Sequence, residues 1–245
     1  MYVVSSLTFL ISINLENRTG RRKMADIQLY SLGSPNGIKI PIALEEMGLT
    51  YDVHTIDILK GEQHSDAFKK INPNEKIPAI VDLKGADGIP HSIMESGAIL
   101  LYLADKAGQL ISQDPILRSE TIQWLFFQAS AVGPMFGAFG HFHTYGKDNC
   151  DHPYPEERFA TETKRILKIL DERLQNQTYM VGDDYSIADI AIFPWIIWLD
   201  VFYKASEQLS LDSFVSVNKW LELCKNREAT KRGFDVYNFS EIGNK

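Results

Sequence analysis

Asn72-Pro73-Asn74-Glu75-Lys76-Ile77-Pro78-Ala79-Ile80 puts an X-Pro bond directly in front of an apolar strand. Ile77-Pro78 is a candidate cis peptide, because cis bonds concentrate at prolines in tight turns. An ordinary trans proline at a strand start fits the same pattern. In the cis case the Ile77 amide and carbonyl turn outward and can pair with an extended peptide as an added strand would.

Reading outward from this stretch, residues 27–32 form a strand and Gly33-Ser34-Pro35-Asn36-Gly37 is turn chemistry. Residues 38–47 carry Ile40, Ala43, Leu44 and Met47 at helical spacing, with Gly48 as a stop. Pro41 costs this helix a backbone bond unless it lies in the first turn. Residues 51–56 form a second strand, 66–70 a short helix, 77–81 a third strand and 92–94 a fourth. An apolar helix over 95–106 ends at Gly108. The order is βαβ followed by ββα, a small mixed sheet with helices.

Beyond Pro115 the strand signals vanish. Residues 115–131 read as a helix with aromatic bulk (Trp124, Phe126, Phe127) that breaks near Gly133-Pro134. Residues 155–175 are amphipathic, 186–203 are almost wholly apolar and so form a central buried helix, and 214–224 carry another apolar stripe. The fold class is therefore α/β plus all-α. A sheet domain spans 24–107, a linker 108–114 and an all-helical domain 115–245.

The chain has 245 residues, 44% hydrophobic and 23% charged, enough to bury a core. Its net charge of -7 argues against nucleic acid as a partner. Cys150 and Cys224 match no metal or dithiol spacing, so they read as reduced thiols, no metal is expected, and a reducing, cytoplasmic setting follows. Residues 1–23 read as an extension outside the fold, with Met24 as an alternative start. The apolar stretch 2–13 is short for a bilayer span, so membrane association is not expected, with a signal-anchor as the sharper alternative.

Two more motifs carry chemistry. In Glu95-Ser96-Gly97-Ala98, Ser96 sits where a helix begins, so its hydroxyl and the free amides suit a carboxylate, and Glu95 suits an ammonium group. Simple helix capping uses the same residues. Ser186-Ile187-Ala188-Asp189 is a capping box with Asp in place of Glu, whose role is folding.

Taken in order, Ser34-Pro35-Asn36-Gly37, Lys76-Ile77-Pro78-Ala79, Glu95-Ser96 and Ser186-Ile187-Ala188-Asp189 resemble the glutathione transferases over about residues 26 to 232. Within that family, the runs 74–82 and 95–103, Gln123-Trp124-Leu125-Phe126 and Gly133-Pro134-Met135 are most similar to the bacterial nu class and its fungal nitrogen-regulator relatives. The resemblance implies a thioredoxin-like N-terminal domain, glutathione as bound cosubstrate and a homodimer. It implies that Glu95 and Ser96 hold the γ-glutamyl end and that Ile77, beside Pro78, pairs with the cysteinyl backbone. Lys76, Gln63 and Arg158 would contact the carboxylates. Arg158 also reads as a solvated cation beside Glu156 and Glu157.

The thiol would lie at the Ser34–Asn36 turn, where a helix N-terminus favours thiolate and the Ser34 hydroxyl and Asn36 amide donate to sulfur. The nu class usually has Thr where this chain has Ser34. Tyr30, four residues earlier, ranks below both as a donor. Reductases of this fold place Cys-x-x-Cys where this chain has Ser34 to Gly37, so any disulfide chemistry must use glutathione's own sulfur. Three functions follow: a glutathione-dependent thiol-disulfide oxidoreductase, a transferase acting on small electrophiles with His141, Phe142, His143 and Tyr145 as an aromatic site, or a non-catalytic regulatory protein. The aromatic group also reads as a packed helix end.

Overall fold

The computed structural model describes residues 24–238. The extension expected over 1–23 lies outside them. Strands β1 (Ile27–Ser31), β2 (Tyr51–Thr55), β3 (Ala79–Asp82) and β4 (His91–Met94) form one sheet in the order β2-β1-β3-β4. β1 runs parallel to β2, with Ile27 opposite Tyr51, and antiparallel to β3, with Leu29 opposite Ile80. β3 and β4 are antiparallel. The period-2 alternation of the strands divides the sheet's side chains between two faces. Ile27, Leu29, Ile80 and Ile93 join the main core beneath helices α1 (Lys39–Glu46) and α3 (Ser96–Ala107). Ala79 packs on the opposite face with Phe68 and Ile71 of α2 (Asp66–Ile71). This is the thioredoxin-like arrangement that the family resemblance implied.

Pro41 is accommodated because α1 begins at Lys39, which places the proline in the first turn, where its missing N–H has no intrahelical partner to lose. The strands start or stop within two residues of expectation.

The second half is helical. Helix α4 (Pro115–Phe127) starts at Asp114, whose carboxylate accepts from the Ile116 and Leu117 amides. The break expected at Gly133-Pro134 does not occur. The chain widens into a π turn over Gln128–Val132 and continues as α5 (Gly133–Gly140), then widens again over His141–Tyr145. Pro134 falls at the start of α5 after the wide turn, where a proline's lack of N–H is tolerated.

Helices α6 (Tyr154–Leu174), α7 (Ile187–Val201), α8 (Val215–Lys225) and α9 (Glu228–Asp235) complete the bundle. α7 is the buried centre, as its apolar sequence requires. α9 was not visible in the sequence, because its eight residues carry few apolar side chains. It packs against α1 instead. A Cβ on Gly233 would lie 2.6–2.8 Å from Ile42 atoms, so only glycine permits this approach. Arg227 pairs bidentately with Glu46 at 2.6 and 2.8 Å, tying the C-terminal segment to the helix that follows the Ser34–Gly37 turn.

Candidate functional site

A cleft of about 620 Å³ opens between the sheet domain and the helices. Its walls include Asn36, Lys76, Glu95 and Ser96 on one side and Phe126, Gly133 and Trp195 on the other. Two helix N-termini meet there. At α3, Ser96 is the first helical residue, and among the described residues no side chain caps this end. The opening amides of α3 are therefore available to a bound carboxylate. Glu95 holds a left-handed backbone (φ 68°), and its side chain accepts from Asn74 Nδ2 at 3.5 Å. A non-glycine residue in that region is costly and clusters at binding sites.

At α1, the turn is built around glycine. A Cβ on Gly37 would sit 1.9 Å from the Leu32 carbonyl oxygen and 2.9 Å from Ser34 Oγ. Ser34 Oγ accepts from the Gly37 amide at 3.1 Å, which leaves its hydroxyl proton free to donate. Asn36 Oδ1 accepts from two groups, Lys39 Nζ at 2.7 Å and Trp195 Nε1 at 3.1 Å.

Lys39 and Trp195 were not singled out in the sequence. Lys39 is fully buried, and its Nζ also reaches Ser96 Oγ at 3.4 Å. Burial pushes its ammonium well below the ordinary lysine value, and the nearby Glu95 carboxylate partly opposes that. A lysine among apolar residues at the start of a helix, Gly37-Ile38-Lys39-Ile40, was the available signal. Nothing in the sequence placed Trp195 beside Asn36, 159 residues away.

The expected residues divide. Asn36, Lys76, Glu95 and Ser96 converge on the cleft. Ile77-Pro78 is a cis peptide immediately before β3 and adjoins Lys76. Ser34 lies in the turn two residues from Asn36 but is not among the cleft-lining residues. Gln63 sits in a short 3₁₀ turn (Glu62–His64), where its Nε2 meets His64 Nε2 at 3.1 Å, away from the cleft walls. Arg158 faces solvent on α6, 3.8 Å from Glu162, which draws it along its own helix. Tyr30 stacks on His54, with centroids 4.5 Å apart, on the α2 side of the sheet, and burial raises its pKa. Of the aromatic group at 141–145, Phe142 and His143 pack at the helix end, while His141 and Tyr145 are exposed. His143 stacks on Phe139 and bonds Glu156 at 2.8 Å, and Phe142 stacks on Phe159.

Neither cysteine lines the cleft. Cys224 is buried in the helical core and Cys150 follows a surface 3₁₀ turn. Among the described residues, no group of three or more His, Cys, Asp or Glu could hold a metal, and no helix is long and apolar enough to cross a membrane.

A thioredoxin-like sheet joined to a helical bundle, with a cleft at two helix starts, defines the class. The models of the glutathione S-transferase N-terminal and C-terminal domains match residues 25–105 and 134–228, and the chain belongs to the glutathione transferase family. It is 43% identical over 206 residues to the disulfide-bond oxidoreductase YfcG of Escherichia coli (strain K12), covering 83% of this chain and 92% of that protein. A glutathione transferase family member from Pseudomonas fluorescens pf-5, solved with two glutathione bound, superimposes with a TM-score of 0.85 at 44% identity. The match covers 87% of this chain and 94% of that one. A glutathione transferase from Pseudomonas putida, with one glutathione disulfide bound per subunit, also gives 0.85, at 42% identity and coverages of 94% and 97%.

Proposed function

We propose that this protein is a glutathione-dependent thiol-disulfide oxidoreductase that uses the sulfur of bound glutathione in place of protein cysteines. The observation that carries the reading is a cleft in which the Asn36 turn and the start of α3 face one space while both cysteines lie elsewhere. Two helix N-termini favour two anionic groups, a carboxylate at Ser96 and a thiolate at Asn36.

The chemistry closes without a protein thiol. One glutathione thiolate attacks a disulfide RSSR′, forming a glutathione–SR mixed disulfide and expelling R′S⁻, which takes up a proton. A second glutathione thiolate attacks the glutathione sulfur of that mixed disulfide and releases RS⁻, leaving glutathione disulfide. Two glutathione molecules are thereby oxidised and one disulfide reduced. The ligands held by the two Pseudomonas relatives, two glutathione in one case and glutathione disulfide in the other, correspond to the start and end of this sequence.

In this reading Glu95 and Ser96 hold the γ-glutamyl end, Ile77 beside Pro78 pairs with the cysteinyl backbone, and Lys76 meets a carboxylate. Ser34 and Asn36 donate to sulfur. Gln63 and Arg158 reach the ligand only if their side chains swing from the positions described. The domain division is 24–107, 108–114 and 115–245. The protein works as a cytoplasmic homodimer. Phe126, 70% exposed on the cleft wall, is the kind of apolar side chain a second subunit covers.

The test compares hydroxyethyl disulfide with chlorodinitrobenzene, both with glutathione. Fast reduction with little conjugation supports the oxidoreductase. The reverse result identifies a conjugating transferase. Silence on both with glutathione bound identifies a binding protein. Asn36→Ala is expected to lower kcat/KM for the disulfide about 10- to 100-fold. Full turnover in both Ser34→Ala and Asn36→Ala would overturn the activation scheme.

A further inference from the structure

Asn36 is held by groups outside its own turn. Trp195 Nε1–H is a donor with no acceptor capacity, and a lysine ammonium likewise only donates. Both face the same atom of Asn36, at 3.1 and 2.7 Å, so that atom is the carbonyl oxygen and the amide NH₂ is turned away from them. The Trp195 ring is seated as well. Its atoms lie 3.6 and 3.5 Å from where Cβ atoms on Gly133 and Gly137 would stand, so α5 offers the indole a flat glycine-lined wall. Lys39 is enclosed between α1 and α3, with Asn36, Ser96 and the Glu95 carboxylate as its polar surroundings.

We propose that Lys39 and Trp195 are positioning residues that hold the Asn36 oxygen on the protein side and so commit its NH₂ to the cleft as a fixed donor to the glutathione sulfur. The inference rests on the glutathione-dependent reading above. A hydrogen bond offered to a thiolate favours the charged form, whereas a flipped amide would present an oxygen that repels it. Free rotation of Asn36 would lose that preference. The helical domain, through one indole N–H, thus sets the acidity of a thiol bound to the sheet domain. Lys39 also links the sulfur end of the site to the carboxylate end through Ser96.

The experiment uses the full chain with bound glutathione. Thiolate absorbance is titrated against pH, and affinity for S-methylglutathione, which has no ionisable thiol, is measured alongside. Trp195→Phe keeps the ring and removes the N–H. It is expected to lower the thiolate fraction about three- to tenfold at a fixed pH below the thiol's pKa. S-methylglutathione affinity should stay within about twofold. Lys39→Met should do the same to thiolate. In an Asn36→Ala background, Trp195→Phe should leave the titration unchanged, because no oxygen remains to be held.

Unshifted titrations in both single variants would overturn the proposal, as would an equal shift in the Asn36→Ala background, which marks a merely structural role. If Lys39→Met fails to fold, Trp195→Phe decides alone. The titration needs no turnover. A wild type that binds glutathione yet reduces no disulfide sinks the oxidoreductase reading while leaving this cycle intact.

Discussion

The start of α7 and the start of α3 solve the same problem in opposite ways. Every helix begins with amides that lack intrahelical partners. At α7 the protein satisfies them itself. Ser186 Oγ accepts from the Ala188 amide at 3.2 Å, and Asp189 Oδ2 accepts from the Ser186 amide at 2.9 Å. Asp189 Oδ1 also takes bonds from the Met180 amide and Trp220 Nε1, both at 2.8 Å. At α3 no side chain makes a cap bond and the end faces the cleft. The turn before α1 is partly closed, with Ser34 Oγ accepting from the Gly37 amide at 3.1 Å and only Asn36 of the turn on the cleft wall. The closed start of α7 is structural, whereas the open start of α3 faces the cleft; α6 and α9 also begin without a side-chain cap, so it is the cleft that sets α3 apart. Ser186 is itself the capping residue of α7, whereas Ser96 is the first residue inside α3, behind Glu95, so position as well as surroundings separates their roles.

The comparison breaks most visibly at Asp189. Asp189→Ala strips four donors of their acceptor in a fully buried place: the Met180 and Ser186 amides, Ser186 Oγ at 3.0 Å and Trp220 Nε1. It should cost about 3–5 kcal/mol or prevent folding, read by urea denaturation. Next is Gly37→Ala, which forces the Ser34–Gly37 turn apart. We expect about a 100-fold fall in disulfide turnover, with a stability loss of about 1–3 kcal/mol. A variant with native turnover would show that the turn shape is not needed.

A finer cut pairs the two serines. Ser186→Ala should lose about 1–2 kcal/mol of stability and leave glutathione affinity intact. Ser96→Ala should weaken glutathione binding about tenfold with less than about 0.5 kcal/mol lost from the free protein. Equal stability losses would erase the distinction between closed and open starts.

The smallest effect concerns pH. Burial lowers the folded-state pKa of Lys39 below its ordinary 10.5. Between that lowered value and 10.5 the unfolded chain binds more protons, so stability rises with pH across this window. Below the lowered value both states are protonated and the contribution is flat. Wild type should therefore gain stability relative to Lys39→Met on going from neutral pH toward 10. Parallel denaturation curves at all pH values would contradict this.

Much of the molecule was legible in local chemistry. The strand alternation at Ile27 and Leu29, the stop at Gly48, the box at Ser186–Asp189 and the apolar run of α7 each rest on neighbours in sequence. They predicted the sheet, most of the helices and the centre of the bundle. Asn36, Lys76, Glu95 and Ser96, drawn from three of the stretches singled out in the sequence, line one cleft. Legibility failed where distant elements decide. Gly133-Pro134 looked like a helix break because a proline's effect depends on the hydrogen-bond pattern around it, and here a π turn precedes it. α9 was missed because its eight residues carry few apolar side chains to mark the face that packs on α1.

The sequence by itself determined an α/β domain followed by an all-helical one and the absence of cysteine from the Ser34–Gly37 turn, because the order of the local patterns and the composition are enough for both; the thioredoxin-like reading of that turn came from the family resemblance. Only the tertiary structure decided that Lys39 is buried, that Gln63 and Arg158 lie off the cleft walls, and which way Asn36 faces. Its amide is symmetric in outline, and only donors brought from α1 and from Trp195, 159 residues along the chain, fix the oxygen to one side.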